Sequence, residues 1–405
     1  MRTWTMLACG MGLASTLSVA GVFDITATIH GKSSSISLDS ADDSINILET
    51  PSIRSFFAGY QGTEVVSAEI NFRGVPIKMA YPTANSTKLV LEVPSINLNQ
   101  SFIGATRDES EKMMGDFIKK NPQFLEAFLK TSVKLSPVDP VAGNPNSLMS
   151  RAVTQDSQAM WLGSGARSGG SGSSNTFGLG VVYGHFVSDA VGAAKSMSSD
   201  GFTLPLTYSR QFDEANHELL VNIPLGYTTV DGSTAYDASL SAVYRYPVQP
   251  NWVVAVSGGA RITGSKDLAG GGWMTSLGLS SNYTWQGEGW SLSLGNMVGY
   301  YKVMRVKYDN TTISPDVANT VFRNGLLFSW DTPWSLLDTP LTIEAFVIDT
   351  RYTGTELFSN YQDEIGITFG TKRSLSAREA DLRAGFSYIT GEHLNGFKAN
   401  FGAWF

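Results

Sequence analysis

The chain has 405 residues, 16% of them charged, and a formal net charge of -7, a balance that argues against a nucleic-acid partner. Mean hydropathy is -0.04, and no run after Ala20 approaches the ~20 apolar residues a membrane helix needs. A spanning role therefore leaves only a closed β-barrel, the other way to pair every backbone polar group in lipid; the 41 glycines, 15 tyrosines and 9 tryptophans suit curved strands and interfacial aromatics.

Met1-Arg2 gives a positive start, Trp4 to Ala20 is apolar or small without charge, and Ser18-Val19-Ala20 is a small-residue cleavage site. These are the parts of a secretory signal, so residues 1–20 are expected to be removed and the mature protein to begin at Gly21. The single cysteine, Cys9, lies in that segment, so the mature chain holds no thiol for a disulfide or a metal.

Residues 21–105 read as a small β-rich domain. Segments 22–31, 53–60, 63–72 and 86–93 are rich in β-branched and aromatic residues and are broken by Gly, Pro and Asn. A helical segment and connector follow over 106–162. Thr106-Arg107-Asp108-Glu109 is a capping-box pattern, with Met113, Met114, Phe117 and Ile118 on one helical face. Asn121-Pro122 restarts the helix with an N-cap and a first-turn proline, and Phe124, Leu125, Phe128 and Leu129 continue the stripe. This stripe is expected to dock on the N-terminal sheet. The Pro-rich run 136–146 reads as a rigid connector, and 147–161 as a short helix. The Gly/Ser tract over 163–175 reads as a flexible linker, because it has too little apolar surface to bury.

Everything from 176 to 405 alternates. Twelve candidate strands carry apolar residues at every second position, as in Phe202/Leu204/Leu206/Tyr208, Trp290/Leu292/Leu294/Val298/Tyr300 and Leu382/Ala384/Phe386/Tyr388. Successive strand side chains point to opposite faces, so each set marks one face of the sheet. Aromatic residues end most of the sets, as a girdle at the membrane interfaces requires. In the strand Asn251 to Ile262, Val254 and Val256 are assigned to lipid and Ala255 and Ser257 to the lumen. The charged residues Arg245, Arg261, Arg323, Glu344, Glu364, Asp381 and Arg383 fall on the lumen face. There they are expected to form an internal ion network. The longer connections, about 187–200, 230–235, 264–272, 302–320, 350–360 and 390–395, fall at one end. The turns at about 213–216, 247–250, 286–289, 331–339 and 372–378 fall at the other. The fold class that follows is mainly β: a C-terminal transmembrane antiparallel up-and-down barrel of about twelve strands, preceded by a small β-rich domain with helices.

The last strand sets Phe397, Ala399, Phe401, Ala403 and Phe405 on one face and Lys398, Asn400 and Gly402 on the other. It resembles the closing strand of bacterial outer-membrane barrels. That resemblance implies recognition of Phe397, Phe401 and Phe405 by the barrel-assembly machinery, with outer-membrane lipids as the surroundings. A signal peptide, an N-terminal domain, a short helix and a C-terminal barrel together resemble the autotransporters, in particular their solitary or short-passenger relatives. The resemblance covers residues about 147–405. It implies a Gram-negative outer membrane, a helix threading the lumen, and an N-terminal domain delivered to the cell surface. The N-terminal module departs from the long β-helix of typical passengers, so a porin-like solute channel with a periplasmic domain stands as the alternative. Neither a solute nor a surface ligand is legible.

Enzyme readings rank lower. The mature chain has His30, His185, His217 and His393. Outer-membrane phospholipase A places its nucleophilic serine two residues after the histidine, where this chain has Lys32, Val187, Leu219 and Asn395. Scattered histidines make no zinc pattern. Asp39, Asp42, Asp43 and Glu49 lack the glycine and terminal glutamate of an EF-hand loop. The chain is thus read as a non-enzyme, without cofactor, metal or nucleic acid.

Overall fold

The computed structural model describes residues 22–38, 60–161, 174–192, 194–212, 217–268, 270–308, 311–336, 339–371 and 381–404. The expected signal peptide and most of the expected Gly/Ser linker lie outside these residues, as does segment 53–59.

The N-terminal sheet has six antiparallel strands, β1 (Phe23–Ile29), β2 (Lys32–Leu38), β3 (Val66–Phe72), β4 (Val75–Tyr81), β5 (Lys88–Val93) and β6 (Leu98–Ile103), in the order β2-β1-β3-β4-β5-β6. Three of these, β2, β4 and β6, are not among the strands expected from composition. Helices α1 (Arg107–Lys120) and α2 (Pro122–Leu135) cover one face of the sheet. Val66, Val75, Tyr81, Leu89, Leu91 and Phe102 are buried there, with Met114, Phe117, Phe124 and Phe128 of the expected stripe packed against them, while Met113 stays exposed. Thr106 caps α1, its side chain accepting from the Glu109 N–H at 3.2 Å. The expected cap at Asn121 is absent. Its side-chain amide instead donates back to the Phe117 carbonyl at 2.7 Å, so Pro122, at the first helical positions, starts α2 without a side-chain cap.

The barrel comprises β7 (Ser174–Ser188), β8 (Ser198–Leu204), β9 (Leu206–Gln211), β10 (Glu218–Asn222), β11 (Leu225–Val230), β12 (Ser233–Gln249), β13 (Trp252–Ser265), β14 (Gly270–Gly287), β15 (Trp290–Val303), β18 (Ala318–Leu336), β19 (Thr339–Gly354), β20 (Tyr361–Thr371), β21 (Asp381–Gly391) and β22 (Leu394–Trp404). A small hairpin, β16 (Val306–Tyr308) and β17 (Thr311–Ile313), stands in the long connection before β18. Segments β8 and β9 are one strand interrupted at Pro205, and β10 and β11 one strand interrupted around Pro224, because proline cannot donate to a ladder. Twelve antiparallel strands result, and β7 closes the ring by pairing with β22, Val181 opposite Phe401.

The strands run farther than the alternating sets implied. Asp231 and Gly232, both at positive φ, make a two-residue turn between β11 and β12 where a longer loop was expected. The expected turn at 331–339 is mostly strand, with an irregularity between Asp331 and Ser335. The long connections 189–197, 304–317 and 355–360 share one end of the barrel, and the short turns 250–251 and 288–289 lie at the other.

Side-chain exposure divides by parity. Val256 is 52% exposed and Ser257 only 5%, which is the expected register. Leu240, Leu277, Leu279, Leu326, Phe328, Ile365, Ile367 and Phe386 form an exposed apolar band, bordered by Trp252, Trp273, Trp285, Trp290 and Trp330. Such a surface is far larger than a protein in water exposes and is what hydrocarbon requires. This is a transmembrane β-barrel.

A candidate functional site in the barrel lumen

Helix α3 (Leu148–Trp161) lies inside the barrel. Its polar side chains reach strands β11 to β15 on one side and β19 and β20 on another. Ser150 bonds the Tyr352 hydroxyl of β19 at 3.2 Å and accepts from Gln362 of β20 at 3.2 Å. Arg151 donates to Asp237 of β12 and, at 2.7 Å, to Thr228 of β11. Asp156 pairs with Arg261 of β13 at 2.5 Å and accepts from Ser276 of β14 at 3.2 Å and Tyr301 of β15 at 3.0 Å. The helix is off-centre, packed on the β12–β15 wall.

Towards the long-loop end the lumen is apolar. Leu148, Met149, Ala152 and Val153 pack with Met274, Met297, Tyr301, Val303 and Val321. Full burial of each large aliphatic stabilises the seat by ~1.5–3 kcal/mol. The connector 136–147 is mostly buried in the mouth above. Asp139 organises it by accepting from the Val141 N–H at 2.9 Å and the Ala142 N–H at 3.3 Å. The same carboxylate faces the fully buried guanidinium of Arg73, from the β3–β4 turn, at 3.4 Å. Burial pushes the Asp139 carboxyl above its ordinary range, against the pull of Arg73 and the two N–H donors. Burial likewise lowers Arg73, which Asp139 opposes.

The N-terminal domain sits on this mouth. Val22 and Phe23 share a core with Met197, Val230, Ala235 and Leu268 of the barrel loops and strand ends. The Phe358 N–H donates to the Val133 carbonyl at 2.8 Å. Gly74, at φ +93°, approaches so closely that a Cβ there would stand 2.7 Å from the Leu135 carbonyl oxygen and 2.9 Å from the Ala194 Cβ. Ion pairs ring the contact: Lys130–Asp316 at 3.1 Å and Lys134–Glu356 at 2.7 Å are exposed, while Lys195 reaches the largely buried Asp24 at 2.7 Å.

Of the lumen charges read from the sequence, Arg245 pairs with Glu218 at 2.5 Å, Arg323 with Glu364 at 3.3 Å, and Arg383 with Glu344 at 3.0 Å. Thr368 and Ser387 donate to Glu344 and Glu364 at 2.9 and 2.7 Å. Arg261 belongs to the helix seat instead. The Asp381 backbone pairs with Trp404, and its side chain lies outside the described residues, as does Phe405. Phe397 packs between Tyr183, His185 and Phe386, and Phe401 is 54% exposed on the lipid face. Arg151, Asp156 and Asp237 of the helix seat and Glu218, the partner of Arg245, escaped sequence reasoning, and Lys398 was not singled out as a lumen charge. Lys398 alternates with Phe397 and Ala399 and so was placeable in the lumen by parity.

The histidines stand apart from one another. His185 contacts Asp200 at 2.9 Å, His217 contacts Tyr244, and His393 packs on Phe358. Among the described residues no group of three His, Cys, Asp or Glu side chains could hold a metal.

No protein-family model and no curated protein sequence matches the chain. Among solved structures the chain is similar to the translocator domain of the autotransporter NalP from Neisseria meningitidis, at 14% identity, TM-score 0.48, over 64% of this chain and 95% of that one. The beta domain of the Bordetella autotransporter Brka gives 14%, 0.40, 56% and 98%. An outer membrane channel from Pseudomonas putida F1 gives 13%, 0.39, 56% and 94%.

Proposed function

We propose that this chain is an outer-membrane barrel of autotransporter type that carries its own small N-terminal domain across the membrane and keeps it docked on the distal mouth. The supporting observation is the path of the chain. The domain sits at the long-loop end, α3 runs down the lumen, and β7 starts and β22 ends at the short-turn end. Outer-membrane barrels keep short turns on the periplasmic side and longer loops outside. In this reading the barrel takes that orientation, the domain stands on the cell surface and α3 is its tether. The lumen pairs hold a plug in place in this reading.

Protease shaving of intact cells tests it, with an epitope inserted in the exposed 82–86 turn. Loss of the epitope from intact cells is the expected result. Protection until the outer membrane is opened would place the domain in the periplasm and end the export reading. A second measurement addresses the channel alternative. The full chain should conduct poorly in planar bilayers, and removal of residues 21–162 should raise the conductance. Equal, large conductance in both forms would favour a plain solute channel.

A further inference from the structure

The off-centre seat of α3 leaves part of the lumen open. A cavity of about 280 Å³ runs beside the helix from Asn146 in the connector to Gly402, two residues before the end of β22. Its wall carries Arg323, Glu344, Glu364, Arg383 and Lys398 from alternate positions of β18 to β22, and Arg151 from the helix. Most of these charges cancel locally, since Arg383 has Glu344, Arg323 has Glu364 and Arg151 has Asp237. Lys398 remains. No described carboxylate lies within ion-pair distance of its ammonium. The carboxylate whose field reaches it, Glu364, is already bonded to Arg323.

An unmatched cation in a narrow, low-dielectric space attracts a mobile counterion and repels cations, because the protein walls focus the field along the cavity. Two cations, Arg323 and Lys398, flank one carboxylate, so a small anion beside Lys398 completes the charge balance. We infer that the half-lumen beside α3 is an anion-selective vestibule, taking small organic anions that carry a carboxylate, sulfonate or phosphate, with Lys398 as their contact. This does not depend on which side of the membrane the N-terminal domain occupies.

The absence of cysteine from the expected mature chain allows a direct test in the full-length barrel. Asn400→Cys places a thiol in the cavity, and Thr203→Cys provides a second reporter lining the same space. Each is reacted with a sulfonate-bearing and a trimethylammonium-bearing methanethiosulfonate, and the rate ratio is normalised to that of a free thiol. Variants are first checked for heat-modifiable migration. Anionic reagent should be favoured about tenfold, the low end of field-focusing effects. Lys398→Gln should abolish the preference, and Glu364→Gln should increase it. A ratio equal to the free thiol, or one favouring the cation, overturns the inference. So does failure of both folded reporters to react with either reagent, since the cavity would then be closed to such solutes.

Discussion

Asp156 of α3 and Arg261 of β13, 105 residues apart, form an ion pair of 2.5 Å in which neither side chain is exposed. Ser276 and Tyr301 complete the hydrogen bonding of the carboxylate. A buried pair is costly to desolvate and holds position best when its remaining polar atoms are satisfied; here the carboxylate is, while Arg261 Nε has no hydrogen-bond partner. It therefore fixes the rotation and depth of the helix more than it adds stability.

Asp156→Asn removes the counter-charge and strands Arg261. The expected loss is ~3–5 kcal/mol, seen as a lower temperature for the heat-modifiable transition and a higher conductance. The double variant Asp156→Leu/Arg261→Met should be milder than Asp156→Asn alone. A double variant whose loss equals the sum of those of Asp156→Leu and Arg261→Met would mean the two residues act separately.

Gly201 faces Arg151 and Asn146. A Cβ there would stand 2.7 Å from Arg151 Nη2 and closer still to Asn146 Oδ1. Gly201→Ala is expected to destabilise the helix seat by ~1–3 kcal/mol, the usual cost of overpacking. Gly115→Ala, in α1 with nothing within 4 Å of the new methyl, should instead add about 0.5–1 kcal/mol. Thermal denaturation of the two variants in detergent should move in opposite directions.

The parity of the closing strand can be tested on adjacent residues. Phe401→Arg puts a charge in lipid and should cost ~2–4 kcal/mol near the midplane, while lumen substitutions are better tolerated. Asn400→Glu, entering the open cavity beside Lys398, should refold into liposomes nearly as well as the parent. Greater damage from Asn400→Glu than from Phe401→Arg would shift the register by one residue and exchange the two faces.

Docking of the N-terminal domain should depend on its apolar contact. Phe23→Ala, at a fully buried position, is expected to cost ~3–5 kcal/mol and to let protease release the domain from the purified barrel. Reversing Lys130 and Lys134 to Glu should matter less, because exposed ion pairs contribute ~0–1 kcal/mol each. Release by the double reversal with Phe23→Ala still docked would transfer the interface to its rim.

The barrel was legible because lipid and lumen impose opposite demands on alternate residues. Val256 and Ser257, or Phe401 and Asn400, declare their faces without reference to any other strand. The N-terminal sheet was less legible. The β2 sequence Lys-Ser-Ser-Ser-Ile-Ser-Leu has one neighbouring strand among the described residues, so little burial marks it and its serines resemble a loop. The cap at Asn121 failed for a local reason, since its side chain found a carbonyl behind it.

By itself the sequence determined the alternation, the polarity of each face, the capping box at Thr106 and the apolar stripe of α1 and α2. All are properties of neighbours a few residues apart, read from periods of two and 3.6. Tertiary structure alone decided which charges meet. Arg245 takes Glu218, Arg261 takes Asp156, Arg73 takes Asp139, and Lys398 shares Glu364 with Arg323. Which ion pairs form depends on ring closure, strand stagger and the depth of a helix inside the ring, and these bring together residues that no local period connects.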